Sequence, residues 1–338
     1  MPTHDEFEDR RAFLASLSAP GGPLTIDAPH ATINDRRYFR RIDGEPVPTG
    51  PRLRLHERIL ADWRGSRTLV RRDRVSILMA GPPGAGKSTA QTHLVGEHPQ
   101  GWRHLDADEF KLRLLAAAVE DGSLQQLLPE ELRAAPGQPS RFYPNELSAL
   151  VHIESNILLE TAVAQSLSVG ENVIIDGTMA WKPWATELVT RLEREHYTIH
   201  IADVEASRQV ATARIVHRWQ QGFTAALTAS GDDPATRMGG RWLPLSAVDR
   251  LFTDTRLPDG KQLHGRSVSE VNAREVSEES PAITRYDLYR TLAVDRGPEH
   301  IERRERTAGG RLERTWGATE TQGHASANRT PEPEVDTR

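Results

Sequence analysis

Apolar residues recur along this chain in two alternating rhythms. Leu55, Ile59, Leu60 and Trp63 fall at helical spacing within Leu53–Trp63. The charged run Arg71-Arg72-Asp73-Arg74 then gives way to Val75–Ala80, a short continuous apolar stretch that fits a buried strand. Strand-like runs return at Val173–Ile175 and Thr198–Val204, with helical patterns at 87–97, 145–168, 183–195 and 206–220. Strands alternating with helices predict βαβ units, hence an α/β fold with a mostly parallel sheet and helices on both faces. No internal repeat interrupts the alternation.

The flanks read differently. Residues 1–53 are rich in Pro, Gly and Asp, with short apolar pieces such as Phe13–Leu17, and are expected to form a loosely packed or capping extension to a core at 54–265. In 266–300, Ile283, Tyr286, Leu288 and Leu292 suggest one more helix. In 302–338 the large apolar residues are Leu312, Trp316 and Val335, so 301–338 is expected to be a disordered tail. Such a segment buries too little surface to offset the entropy of ordering it.

Composition narrows the function classes. The 338 residues carry 43 Lys+Arg against 48 Asp+Glu, a balance unlike the strongly basic face of a nucleic-acid binder. No cysteine is present, which excludes disulfides, thiolate metal sites and cysteine nucleophiles. Nothing asks for an oxidising compartment, the polar Met1–Arg11 is unlike a secretory signal, and no window holds 18 consecutive apolar residues. A cytoplasmic location without a membrane span is expected. The pair His196 and His200 has a zinc-like H-x₃-H spacing, but it lies at the start of a strand pattern and lacks the glutamate of H-E-x-x-H.

One motif carries specific chemistry. Gly81-Pro82-Pro83-Gly84-Ala85-Gly86-Lys87-Ser88, followed by Thr89, fits G-x-x-x-x-G-K-[ST] directly after an apolar strand and at the start of a helix. The basic residues are 39 arginines and only four lysines (Lys87, Lys111, Lys182 and Lys261), so a chance match containing lysine is rare. The glycines let backbone N–H groups turn toward phosphate oxygens, and the helix N-terminus adds partial positive charge. Lys87 is expected to reach the β- and γ-phosphates of ATP, and Ser88 to ligate Mg²⁺. The loop specifies a nucleotide and leaves the reaction open.

Carboxylates and arginines bear on that choice. If Leu105–Asp106 ends a strand, Asp106 and Asp108 alternate onto one side of the extended chain, at the edge where such sheets bind ligands. Either a proton-accepting carboxylate or a helix N-cap at Asp108 fits. Val173-Ile174-Ile175-Asp176-Gly177-Thr178 places Asp176 at a second, metal-side position, with Thr178 facing the crevice. Arg208, Arg214 and Arg218, then Arg237 and Arg241, are candidates for holding phosphate, with Arg214 and Arg218 on one helical face.

In this order, the phosphate loop, Asp106-Ala107-Asp108-Glu109-Phe110-Lys111, a helix bearing Glu160, and Ile175-Asp176-Gly177-Thr178 resemble the zeta toxin family of P-loop kinases. The resemblance continues through Arg214, Arg218 and Trp219, then Gly240-Arg241-Trp242-Leu243-Pro244, and Leu251-Phe252-Thr253-Asp254 to Leu263, spanning roughly 54–265. It implies a three-layer kinase fold and transfer of the ATP γ-phosphate to the 3′-hydroxyl of the aminosugar in UDP-N-acetylglucosamine. It further implies Lys87 as the loop lysine, Asp108 as the base and Glu160 with Thr178 as substrate contacts. Arg218 and Arg241 match the phosphate clamp, with Arg214 one turn away, and Asp176 takes the acidic place before Gly-Thr. A small antitoxin protein is the partner implied. The chain departs from the family in its extra residues at both ends and in the proline-rich stretch Glu120–Arg141, which falls between base and substrate helix. A kinase of the same fold acting on another hydroxyl, or an ATP-dependent regulatory binding module, are the alternatives.

Overall fold

The structure, a computed structural model, describes residues 4–135, 137–228, 234–253, 265–307 and 310–317. Helix α1 (His4–Leu17) and a hairpin of β1 (Phe39–Ile42) and β2 (Glu45–Pro48) lead into α2 (Gly50–Gly65). The alternating core follows as β3 (Val75–Ala80), α3 (Lys87–Val95), β4 (Arg103–Leu105), α4 (Ala107–Glu120), α5 (His152–Ser168), β5 (Val173–Asp176), α6 (Lys182–Arg194), β6 (Thr198–Ala206) and α7 (Arg208–Thr228). Short α8 (Pro234–Arg237), α9 (Leu245–Thr253) and α10 (Val268–Glu279) precede three closing strands, β7 (Ile283–Thr291), β8 (Glu299–Arg306) and β9 (Leu312–Gly317).

The seven-stranded sheet runs β4-β5-β3-β6-β7-β8-β9. The first five strands are parallel; β8 and β9 are antiparallel additions at one edge. β3 lies between β5 and β6, and the chain leaves it first toward β4 on one side and later toward β6 on the other. Ligands of open α/β sheets sit at such a reversal, outside the carboxyl ends of the strands. Alternation along each strand makes two cores. Leu78, Leu105, Ile175, Ile199 and Ile201 face the larger one. Ile77, Met79, Ile174, Ala202 and Val204 face the smaller one, which also takes in residues of α3, α7 and α9. The expected three-layer α/β sandwich is the observed architecture.

The N-terminal segment is tightly packed rather than loose. Leu14, Leu24, Ala28, Ala31, Ile33 and Phe39 are part of the larger core, and the Phe7 ring meets Phe223 edge-on at 5.8 Å. Arg10 pairs with Glu146, and Trp242 donates to the Ser18 hydroxyl at 2.9 Å. Beneath α5, the fully buried Glu154 accepts from Arg52 Nε at 2.5 Å and Nη2 at 2.7 Å, and lies 2.6 Å from His56 Nε2. Burial alone would raise this carboxyl; the His56 and Arg52 hydrogen bonds outweigh it and hold it down to about 2.

The extra helix expected around Ile283–Leu292 is instead strand β7. Tyr286 and Leu288 pack into the larger core, while Arg285 and Asp287 are engaged on the opposite face. Part of the expected tail is also strand, in β8 and β9; residues 318–338, with Val335, lie outside the described residues, as do 254–264 of the closing segment. The stretch Pro144–Ser168 is long and apolar enough by composition to cross a membrane, and 56% of its 18-residue apolar window is buried in the fold, as in a core helix.

Candidate functional site

The phosphate loop closes over the carboxyl end of β3. Gly81 has φ +114°, and a Cβ there would sit 1.9 Å from the Val204 carbonyl oxygen, so only glycine lets the chain leave β3 so close to β6. Gly86, with φ +99°, is the N-cap of α3, and Thr89 N donates back to it at 3.0 Å. Lys87 folds over its own loop, donating to the Gly81 carbonyl at 2.9 Å and the Pro82 carbonyl at 3.3 Å, with Nζ 4.0 Å from Asp176 Oδ1. The Gly81 amide donates to the Thr178 carbonyl at 3.3 Å, joining the loop to the turn after β5.

The loop is braced from outside. Arg214 Nη1 reaches the Gly84 carbonyl at 3.4 Å, while its Nε donates to the Val294 carbonyl at 3.0 Å and its Nη2 to that of Arg296. Thr291, at the end of β7, donates to the Ala85 carbonyl at 2.6 Å. The arginine touching the loop is therefore Arg214, one turn before the clamp residue expected at Arg218, which is exposed on α7. Arg237 is exposed at the end of α8.

The second wall is the start of α4. Asp106 follows the strand and caps the helix, its side chain accepting from Asp108 N at 2.8 Å. Asp108 therefore stands in the first helical turn. The expected extended alternation of Asp106 and Asp108 does not occur, and the cap lies at Asp106. Asp108 accepts from Lys111 Nζ at 2.9 Å through one oxygen and from Arg241 through the other. Arg241 is brought there by a tight turn. A Cβ on Gly240 would stand 2.0 Å from the Trp219 carbonyl, and Asn145 Nδ2 holds the Gly239 carbonyl at 2.8 Å.

Burial shifts several groups here. It lowers Lys111 to about 8, against the opposing pull of Asp106. His152, on α5, is pushed down to about 4 by burial and then by the Lys111 charge. Asp106 is raised by burial and by the nearby Asp176 carboxylate. The Asp176 Oδ1 atom is buried without a hydrogen-bond partner among the described residues, so the carboxylate expected on the metal side is free to accept a cation.

Glu160 lies farther along α5, at the side of α6. It accepts from Trp184 Nε1 at 3.2 Å and Arg191 Nη1 at 2.6 Å. The Trp184 ring lies against Gly177, where a Cβ would meet it at 3.4 Å, so Glu160 connects indirectly to the turn bearing Thr178. The Thr178 hydroxyl accepts from Ala180 N at 3.2 Å. Sequence reasoning missed His104 and His152; the histidine two residues before Asp106, on the same strand face, was a readable signal for the first.

Residues 77–231 match a family model described as an AAA domain, a span covering the phosphate loop, both acidic turns and α7 but under half of the chain. No curated protein matches the sequence. Among solved structures, the AvrRxo1-ORF1:AvrRxo1-ORF2 complex with sulphate ions is similar at 17% identity and a TM-score of 0.50, covering 76% of this chain and 68% of that one. A structure from the PezAT chromosomal toxin–antitoxin system of Streptococcus pneumoniae is similar at 15% identity and a TM-score of 0.44, covering 73% and 78%. The same AvrRxo1 complex with ATP is similar at 14% identity and a TM-score of 0.47, covering 79% and 70%. The matched model and the architecture bear out the expected scaffold: the chain carries a P-loop domain in a three-layer α/β fold with a mostly parallel sheet.

Proposed function

We propose that the chain is an ATP-dependent small-molecule kinase of zeta toxin type, with the 3′-hydroxyl of the aminosugar of UDP-N-acetylglucosamine as acceptor. The observation that carries this reading is the position of Asp108, a carboxylate held by Lys111 and Arg241 beside the carboxyl end of the sheet. Transfer to a hydroxyl needs a proton acceptor beside the phosphates, and this carboxylate can serve as one. Phosphoryl transfer otherwise asks mainly for positioning and for positive charge around the moving group.

The chain's own groups divide that work. Backbone amides of Gly81–Ser88 and the N-terminus of α3 hold the phosphates, and Lys87 exchanges its contacts to Gly81 and Pro82 for phosphate oxygens. Arg214 supports the loop. Arg241 moves from Asp108 to the phosphates, which frees one oxygen of Asp108 to take the acceptor's proton. Ser88 and Asp176 would hold Mg²⁺, whose charge neutralises the β- and γ-oxygens when it is bound. Glu160 and Thr178 would contact the acceptor. A cytoplasmic location and a protein antitoxin as partner accompany this reading.

A second reading keeps the chemistry and changes the acceptor. Both Glu160 oxygens are engaged by Trp184 and Arg191, which leaves less of that carboxylate for a sugar. Purified protein with ATP·Mg²⁺ and UDP-N-acetylglucosamine is expected to yield a phosphorylated nucleotide sugar, detected by mass spectrometry. ADP with unmodified nucleotide sugar overturns the acceptor. A phosphorylated product from a panel of other hydroxyl compounds then selects the second reading.

A further inference from the structure

The sheet edge beside the phosphate loop carries an imidazole that phosphoryl transfer, as set out above, does not use. β4 and β5 are parallel neighbours in the register His104↔Ile174 and Leu105↔Ile175, which sets Asp106 opposite Asp176. By strand alternation His104, Asp106 and Asp176 all point to the face of Ile174, the face on which α3 and the phosphate loop lie. One ligand atom from each of the three falls within 4.8 Å of the other two. His104 Nε2 and Asp176 Oδ1 are both buried and have no hydrogen-bond partner among the described residues.

That combination is costly unless something completes it. A buried acceptor without a partner forfeits the hydrogen bonds it made in water, and two neighbouring carboxylates repel. The nearest lysine does not resolve this. Lys87 directs its donors to the Gly81 and Pro82 carbonyls and stays 4.0 Å from Asp176 Oδ1. Asp106 is better served, since one oxygen accepts from Asp108 N at 2.8 Å. What is left is one imidazole nitrogen and carboxylate oxygens converging from two adjacent strands, a donor set for a divalent cation.

We infer that His104, Asp106 and Asp176 form a cation site with a nitrogen ligand, and that it favours a first-row transition cation over Mg²⁺. Mg²⁺ prefers an all-oxygen octahedron and keeps much of its water, whereas imidazole suits the later first-row divalent ions. The strand register fixes His104 and the two carboxylates before any nucleotide arrives, so this site binds its ion in the nucleotide-free protein. The inference rests on the proposed kinase reading in assigning this sheet edge to phosphate chemistry, and because it shares Asp176 with the Mg²⁺ of that reading it applies to the nucleotide-free protein, before ATP·Mg²⁺ claims that carboxylate.

The test uses the full chain without nucleotide and Co²⁺ as probe, because its visible absorption reports ligand type and geometry. Titration is expected to saturate at one equivalent, with bands that persist in a large molar excess of Mg²⁺. His104→Gln keeps a polar side chain of similar reach, and is expected to weaken Co²⁺ binding by at least tenfold and to alter the bands. His152→Gln, at the nearby histidine outside the trio, is expected to leave both unchanged, and thermal melts confirm that each variant is folded. Unchanged Co²⁺ affinity and spectrum in folded His104→Gln overturn the inference, as does equal competition by Mg²⁺ in the wild type. Co²⁺ binding through His104 with no phosphorylated product from any acceptor would instead sink the kinase reading and leave the cation site standing.

Discussion

Two clusters of histidine and carboxylate, one sealed beneath α5 and one half-buried at the sheet edge, are built in opposite ways. Beneath α5, Glu154 accepts from Arg52 Nε and Nη2 and adjoins His56, so a fully buried charge is closed by its neighbours. At the sheet edge, His104, Asp106 and Asp176 also converge, yet His104 Nε2 and Asp176 Oδ1 have no hydrogen-bond partner among the described residues. The first arrangement ties α2 to α5 and makes the N-terminal segment part of the fold. The second leaves bonding capacity unspent in the folded state. Closed polar clusters hold a structure; open ones await a ligand.

The largest expected contrast is in stability. Glu154→Ala leaves Arg52 and His56 buried without their carboxylate and is expected to cost about 3–5 kcal/mol in urea denaturation, because an uncompensated buried charge remains. A loss below 1 kcal/mol breaks the distinction drawn here. In activity, the open edge dominates: Lys87→Ala is expected to lower the initial rate of transfer by about 10²–10³-fold, as removal of one charge-stabilising donor does elsewhere, with its melting temperature nearly unchanged. Retained activity removes the loop lysine from the chemistry.

Acidity sharpens the same comparison. Glu154 titrates normally near 4.5 when unfolded and about 2 when folded, so its contribution is present above 4.5 and is lost as pH falls toward 2. A buried carboxyl of the opposite kind sits on β6. Burial, and then the charge of Glu270, raise Asp203 from 3.8 to about 7. Between those values the unfolded chain releases this proton while the native state keeps it, so this group lowers stability as pH rises from about 4 to 7. Thermal melts across both windows are expected to lose the acid limb in Glu154→Gln and the upper slope in Asp203→Asn. The smallest effect is expected for Asp176→Asn, within about 1 kcal/mol of wild type, since the open cluster contributes little to holding the fold. A loss as large as that of Glu154→Ala would erase the difference between the clusters.

The parallel core was legible because its strands are buried on both faces and read as continuous apolar runs, as in Val75–Ala80 and Val173–Ile175. β7 was not. Its face toward the smaller core carries Arg285 and Asp287, which look like solvent positions in sequence but are paired with each other, Asp287 being engaged across strands by His200, His300 and Arg303 as well. With charge on a covered face, Ile283, Tyr286, Leu288 and Leu292 imitate a helical spacing. At the site, the phosphate loop and Asp108 could be found by motif, because their spacing is local. The choice between Arg214 and Arg218 could not, because it depends on carbonyls of Val294 and Arg296 some 80 residues away. The capping role of Asp106 was hidden for a smaller reason: it is the single residue between strand and helix.

The bond from Thr291 to the Ala85 carbonyl spans 206 residues. A ribosome adding about 5–20 residues per second completes the loop motif about 10–40 s before it supplies the strand that braces it. During that interval a nascent chain carries the glycines, Lys87 and Ser88 without Thr291, or the Val294 and Arg296 carbonyls that hold Arg214. The phosphate loop is thus synthesised well before the contacts that brace it, Thr291 among them, can form.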